Sequence, residues 1–225
     1  MSDQGFDGRA VLVFGAAGAL GFGVAAAFAA AGAAVTGADR AVPGADRQLA
    51  GVRYEAVDVL DDAAVRALFD AGPPPWAAIN TVGGFAPRRP LAELEPAELA
   101  GQIQLNLLTA ALITKHALRV MQPAGRGRIV HTASRAGQIT AGSGFAYSVS
   151  KLGVLHLVAM AADEVRGSGV TVNCVVPSII DTPANRAAMP AANHDAWPKV
   201  PDIAGSYLYL ASPGASLVNG AAIPV

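Results

Sequence analysis

Tyr147 is followed four residues later by Lys151, and Ser134 lies a short loop upstream. On a helix, positions i and i+4 share one face, which sets the Lys151 ammonium beneath the Tyr147 phenol. A free phenol has a pKa of about 10 and is a poor acid or base at neutral pH. A fixed positive charge nearby favours the phenolate and draws that pKa toward the working range. Ser134 ends the apolar run GRIVHTAS, which reads as a strand, so its hydroxyl projects from a strand tip toward the same point. The trio suits polarising a carbonyl while a proton is delivered to it. Tyr-x-x-x-Lys alone is common on helix surfaces. Here the pair includes one of only three lysines, Lys115, Lys151 and Lys199, and it follows a strand-end serine.

The elements that must position such a trio are legible in order. AVLVF, from Ala10 to Phe14, is a continuous apolar run, as expected of a strand covered on both faces. The turn GAAGALGFG and an alanine-rich helix VAAAFAAAG ending at Gly32 follow. Strand, glycine turn and helix together set a pyrophosphate against a helix N-terminus, with Gly15 allowing the sharp turn and Gly21 the close approach of the phosphates. A second strand, AAVTGA, ends in Asp39, where a carboxylate accepts from the adenosine ribose hydroxyls and repels a 2′-phosphate. That favours NAD(H); the neighbouring Arg40 keeps NADP(H) as the alternative. Tyr54 to Val59 reads as a third strand with Asp58 and Val59 at its ligand end, and Asp61 as the N-cap of the helix DAAVRALFD. Trp76 to Val82 is a fourth strand, ending in a turn with Asn80, Gly83 and Gly84.

From Pro96 a long helix runs to Met121, with Asn106 inside its apolar part. That asparagine is either a satisfied structural amide or a distortion that holds a water feeding protons to Lys151. GRIVHTAS is strand five, the Tyr147–Lys151 helix follows, and VTVNCVVP is strand six. Residues 178–201, rich in Pro, Ala and Asn, form a substrate lid loop. Asp202 opens the last helix and AAIPV the last strand. Phe85, Phe145, Met189 and Trp197 are candidates for an apolar substrate wall or for ordinary packing.

Composition excludes several classes. The 225 residues form one domain with a net charge of −1, and no basic stripe points to nucleic acid or a membrane surface. Cys174 is the only cysteine, and no cluster has metal-ligand spacing, so no metal is expected. Ala10 to Ala38 carries no charge, yet Gly15, Gly18, Gly21 and Gly23 break it, and Asp3 and Asp7 precede it where a leader would be positive. The expectation is a soluble, cytoplasmic protein. The two apolar helices predict a homodimer or homotetramer.

In order and spacing, the glycine turn, Asp39, Asp58-Val59, Asn106, Ser134, Tyr147-Ser-Val-Ser-Lys151 and Val172-Asn173…Pro177 resemble the short-chain dehydrogenase/reductase family over essentially the whole chain. The resemblance implies an α/β fold, a single-domain Rossmann-type doubly wound parallel sheet flanked by helices, with NAD(P) binding and hydride transfer at a carbonyl or alcohol carbon. It implies Tyr147 as general acid/base, Lys151 as its tuner and ribose ligand, Ser134 as donor to the carbonyl and Asn106 as anchor of a proton relay. It extends the cofactor contacts to Ala17, Gly18, Ala19, Leu20, Pro177, Ile180 and Thr182.

There are departures from the family pattern. Ala19 replaces the central motif glycine, Thr81 stands where the family has a second asparagine, and the chain stops at Val225 before the usual glycine-rich extension. Within the family, GAAGALG and Asp181-Thr-Pro, Asn185-Arg186 and Met189-Pro190 are similar to dihydropteridine reductase, implying NADH-dependent reduction of a quinonoid dihydropterin as an alternative. Ser134, absent from that enzyme, suits an ordinary ketone or alcohol better. A non-catalytic NAD(P)-sensing regulator is the remote alternative.

Overall fold

A computed structural model describes residues 5–86, 89–139 and 144–225; Asp3, and residues 140–143 between Ser134 and Tyr147, lie outside that range. Seven strands form one parallel sheet: β1 (Ala10–Phe14), β2 (Ala34–Asp39), β3 (Arg53–Ala56), β4 (Ala77–Asn80), β5 (Gly127–Thr132), β6 (Val170–Val176) and β7 (Ala222–Pro224). Their spatial order is β3-β2-β1-β4-β5-β6-β7, the doubly wound arrangement expected. It reverses direction between β1 and β4, where such sheets open a ligand crevice at their carboxyl edge.

The strands read as apolar runs because helices cover both faces. Successive side chains alternate. Leu12 and Phe14 join Ile113, Met121, Ile129 and Val158 on the face covered by α2 (Asp62–Asp70), α4 (Thr109–Met121) and α5 (Phe145–Glu164). Val11 and Val13 join Phe28, Ile79, Ile203 and Tyr207 under α1 (Ala19–Ala30) and α7 (Val200–Ala211). Each fully buried side chain of this size contributes about 2 kcal/mol. Asp61 caps α2 as expected, accepting from the amides of Ala63 and Ala64 at 2.9 and 3.1 Å.

Several boundaries differ from the sequence reading. α1 begins at Ala19, not Val24, so Gly21 and Gly23 are helical, and their lack of side chains lets the helix pack closely. β3 stops at Ala56, because the Asp58 carboxylate accepts from the Leu60 amide at 3.0 Å and turns the chain out of the ladder. The long helix from Pro96 is α3 (Pro96–Gln102), a π-helical turn over Ile103–Leu108 and then α4. α7 starts at Val200, two residues early, with Pro201 in its first turn where a missing N–H costs nothing. The lid carries a short helix of its own, α6 (Pro183–Ala188), capped by Thr182, whose hydroxyl accepts from the Asn185 amide.

Candidate active site

The cofactor side is built from strand tips. Gly15, at φ +82°, makes the turn after β1. A Cβ on Gly21 would meet the Gly15 carbonyl oxygen at 2.1 Å and Thr81 Oγ1 at 2.5 Å. Gly21 therefore serves the seating of α1 on its own turn. Gly18 caps α1 without a side-chain hydrogen bond, so the first-turn amides are left for an anion, as NAD(P) requires. Ala19 is the first residue of α1 and its side chain is exposed, which accounts for an alanine being accepted there.

Asp39 closes β2 and folds onto that turn. Its carboxylate accepts from Ala17 N at 2.9 Å and from Arg40 N at 2.8 Å. Arg47, absent from the sequence reading, donates to Ala17 O at 3.1 Å, so the next peptide of the turn is held as well. A cleft of about 210 Å³ joins Gly15, Gly18, Asp39, Arg40, Asp58, Val59 and Gly83. Its lining also includes Leu60, Thr81, Val82, Leu105 and Thr109, which the sequence reading did not select. Thr81 was the readable one, a hydroxyl just past a strand end. It donates to Phe14 O at 2.7 Å and ties the β4 tip to the β1 tip.

The catalytic side lies past β5. Ser134 and Lys151 are buried, at 5% and 4% exposure. The Ser134 hydroxyl accepts from Ala136 N at 3.2 Å and hydrogen-bonds the Tyr147 phenol. Lys151 Nζ donates to Thr132 O at 2.9 Å. Burial pushes the Tyr147 phenol above its ordinary value, while the Ser134 hydrogen bond works the other way. This departs from the expectation that Lys151 draws the phenol down. The phenol is largely withdrawn from water, and the ammonium is turned to a carbonyl. Burial lowers Lys151 itself to about 8.

Asn106 sits in the π turn, 1% exposed. Its Oδ1 accepts from Gly84 N at 3.1 Å, and its Nδ2 donates to Gly84 O at 3.1 Å and Gln102 Oε1 at 2.9 Å. The helix is distorted here and the amide is satisfied. Gly83 is squeezed against the same group: a Cβ there would stand 2.7 Å from Asn106 Oδ1 and 3.0 Å from Lys151 Nζ.

Beneath Lys151 runs a buried polar chain. Thr114 Oγ1 donates to Ala110 O, so it accepts from His131 Nε2–H at 2.8 Å. His131 Nδ1 then accepts from Asn80 Nδ2 at 3.2 Å, and Asn80 Oδ1 accepts from Val82 N. Asn80 thus shapes the β4 turn from behind and does not line the cleft. Burial first, then Lys151, hold His131 neutral, near 3.

Ala17, Leu20, Pro177, Ile180 and Thr182 also lie off the cleft lining, the last three at the exit of β6. Of the apolar candidates, Phe85 stands edge-to-face on Tyr147 with centroids 5.2 Å apart. Trp197 is buried against His194 in the lid. Among the described residues no cluster of His, Cys, Asp and Glu has the makings of a metal site.

Residues 15–225 match the family model described as enoyl-(acyl carrier protein) reductase. The cis-4-hydroxycyclohexanecarboxylate dehydrogenase of Sinomonas cyclohexanicum is 35% identical, covering 99% of this chain and 96% of that protein. The D-threitol dehydrogenase of Mycolicibacterium smegmatis is 32% identical, covering 97% and 92%. A solved short-chain type dehydrogenase/reductase from Mycobacterium ulcerans superposes with a TM-score of 0.88 at 29% identity, covering 98% of this chain and 89% of that one. The chain belongs to the short-chain dehydrogenase/reductase family and is an oxidoreductase that moves hydride to or from NAD(P).

Proposed function

We propose that this enzyme interconverts a ring or short-chain alcohol and its ketone with NAD(H), using Tyr147 as general acid/base. The observation that carries this is the Ser134 hydroxyl bonded to the Tyr147 phenol at the strand edge, with Lys151 buried on the same helix face. Bound NAD(P) supplies or accepts the hydride. Ser134 holds the substrate oxygen by its hydroxyl, and Tyr147 gives that oxygen its proton or takes it back. Lys151 stabilises the phenolate formed in reduction, and Asn106 holds Gly84 so that the Gly83 peptide stays against Lys151. Because burial raises the phenol, its proton is present throughout the neutral range. Reduction is then flat with pH through neutrality, whereas oxidation climbs as pH rises.

The retained Ser134 and the likeness to two dehydrogenases favour an alcohol or ketone, and nothing in them favours a pterin. Phe85 beside Tyr147 supplies an apolar wall, and residues 178–201 the lid. The Asp39 carboxylate favours NAD(H) over NADP(H). A second copy of the chain covers Leu152 and Met160, which are 54% and 62% exposed on α5 and two turns apart. A cytoplasmic, soluble enzyme fits the burial of the opposite face of α5 on the sheet.

The test is NADH oxidation against cyclic ketones, linear ketones and a quinonoid dihydropterin. Turnover of a ketone that vanishes in Tyr147→Phe supports the proposal. Turnover of the pterin alone overturns the substrate class, and bound NADH with no turnover on any substrate favours the sensing regulator. In the same assay Asp39→Ser narrows the preference for NADH over NADPH about tenfold.

A further inference from the structure

Away from the catalytic edge, the amino ends of four neighbouring strands carry an unusual row. Arg9 precedes β1, Trp76 precedes β4, Arg128 lies in β5 and Thr171 in β6. Trp76 N donates to Ala10 O, Ala77 is in register with Arg128, and Arg128 with Thr171. Arg128 and Thr171 share strand parity with Val130 and Val175, so both face the layer of α1 and α7. The indole is fixed there, Nε1 donating to Ala211 O at 2.8 Å. Both guanidinium carbons lie against it, at 3.6 Å for Arg9 and 4.8 Å for Arg128.

Three of the four buried side-chain polar atoms without a hydrogen-bond partner among the described residues belong to this row: Arg9 Nη1, Arg128 Nε and Thr171 Oγ1. Arg128 and Thr171 are 5% and 3% exposed. Arg128 Nη1 is satisfied by Gly127 O and Gly169 O, which leaves Nε as its open donor. Among the described residues no carboxylate pairs with either arginine. The two cations also repel each other, and both burial and Arg9 work against the charge on Arg128. Buried charges and donors are retained in proteins when something completes them. Stacking on one indole accounts for the faces of the two guanidiniums but leaves Arg9 Nη1 and Arg128 Nε open at their edges and does nothing for the Thr171 hydroxyl.

We propose that this row is a binding site for a small oxyanion of the phosphate or sulfate class, held by Arg9, Arg128 and the Thr171 hydroxyl. Charge-assisted donation to an oxyanion answers all three orphan groups at once. Half-exposed Arg9 supplies the way in, and the site is independent of the cofactor cleft at the other edge of the sheet.

The experiment is calorimetric titration of inorganic phosphate at constant ionic strength in chloride, with and without saturating NADH. NADH removes any phosphate bound at the glycine turn and leaves this site untouched. Saturable one-to-one binding that persists with NADH is expected, weakened about tenfold or more in both Arg9→Met and Thr171→Val, with kcat unchanged. Thr171→Val keeps the side-chain volume, so it reads the hydroxyl should Arg9→Met fold poorly. Absence of saturable heat in the NADH-loaded enzyme, or equal affinity in wild type and both variants, overturns the proposal and leaves the stack on Trp76 as the full account of these arginines.

Discussion

At the carboxyl edge of the sheet Lys151 is 4% exposed and its ammonium rests on the Thr132 carbonyl; at the amino edge Arg128 is 5% exposed and its Nε has no partner. The contrast follows from the polarity of parallel strands. Thr132 is the last residue of β5, and a strand's end leaves carbonyl oxygens outside the ladder, ready to accept from a cation. Strand beginnings leave amides, which repel a cation and suit an anion. Arg128 finds carbonyls at Gly127, the first residue of β5, and at Gly169, just before β6, and both serve one nitrogen. The same burial gives an internally satisfied cation beside the catalytic phenol at one edge. At the other, Arg128 is stacked with Arg9 on the Trp76 indole, and no carboxylate among the described residues pairs with either.

The largest test of this contrast is Tyr147→Phe. Removing the proton donor lowers kcat by about a thousandfold with NADH affinity near wild type, and fluorescence titration of NADH checks the second half. Any variant of the Arg9 row that lost activity on this scale would erase the distinction between the edges.

Lys151→Met separates function from stability at the carboxyl edge. Turnover falls about a hundredfold or more. The fold, however, lowers Lys151 from 10.5 to about 8, so below that pH it carries a charge its surroundings disfavour. Linkage makes wild-type stability rise with pH between the folded and unfolded values. The apolar variant is therefore more stable at pH 7, by about 2 kcal/mol, with the gain fading as pH approaches 10. Urea denaturation at both pH values measures this, and a less stable variant at pH 7 would show that Lys151 is held by more than Thr132.

His131 gives a stability effect of the same sign in a more acidic window. Kept neutral down to about 3 in the fold against an ordinary 6.5, it leaves the folded state with fewer protons than the unfolded chain in that window. Its contribution is complete above pH 6.5 and is lost as pH falls toward 3, at up to about 1.4 kcal/mol per pH unit. His131→Asn flattens this part of the urea midpoint profile. The smallest expected change is kcat in Thr171→Val, within about twofold of wild type, since a buried hydroxyl at the amino edge touches neither cleft nor phenol.

Much of this was legible because local chemistry is strong at particular places. β1 ends at Phe14 as read, since an apolar run meets a glycine that alone tolerates φ +82°. Asp61 caps α2 because its oxygen reaches two amides without help from the rest of the chain. The Tyr147–Lys151 spacing and the strand-end Ser134 do assemble on one edge. What the reading left open, a distant partner decided. The seat of Gly21 is set by Gly15 O and Thr81, the π turn by Asn106 reaching Gly84, and the cleft walls Leu60, Leu105 and Thr109 by which loops meet above β1 and β4. The Arg9, Trp76, Arg128 and Thr171 row is scattered over four strands and has no motif to read.

By itself, then, the sequence determined the order of strands and helices, the glycine turn and which groups are candidates to react, because periodicity, turn chemistry and spacing act within a few residues. Only the tertiary structure decided the charge and hydrogen-bond state of those groups. Burial raises the Tyr147 phenol and lowers Lys151, and the Thr132 carbonyl, brought in from another strand, receives the ammonium. Desolvation depends on everything packed around a side chain, and no stretch of sequence contains its own surroundings.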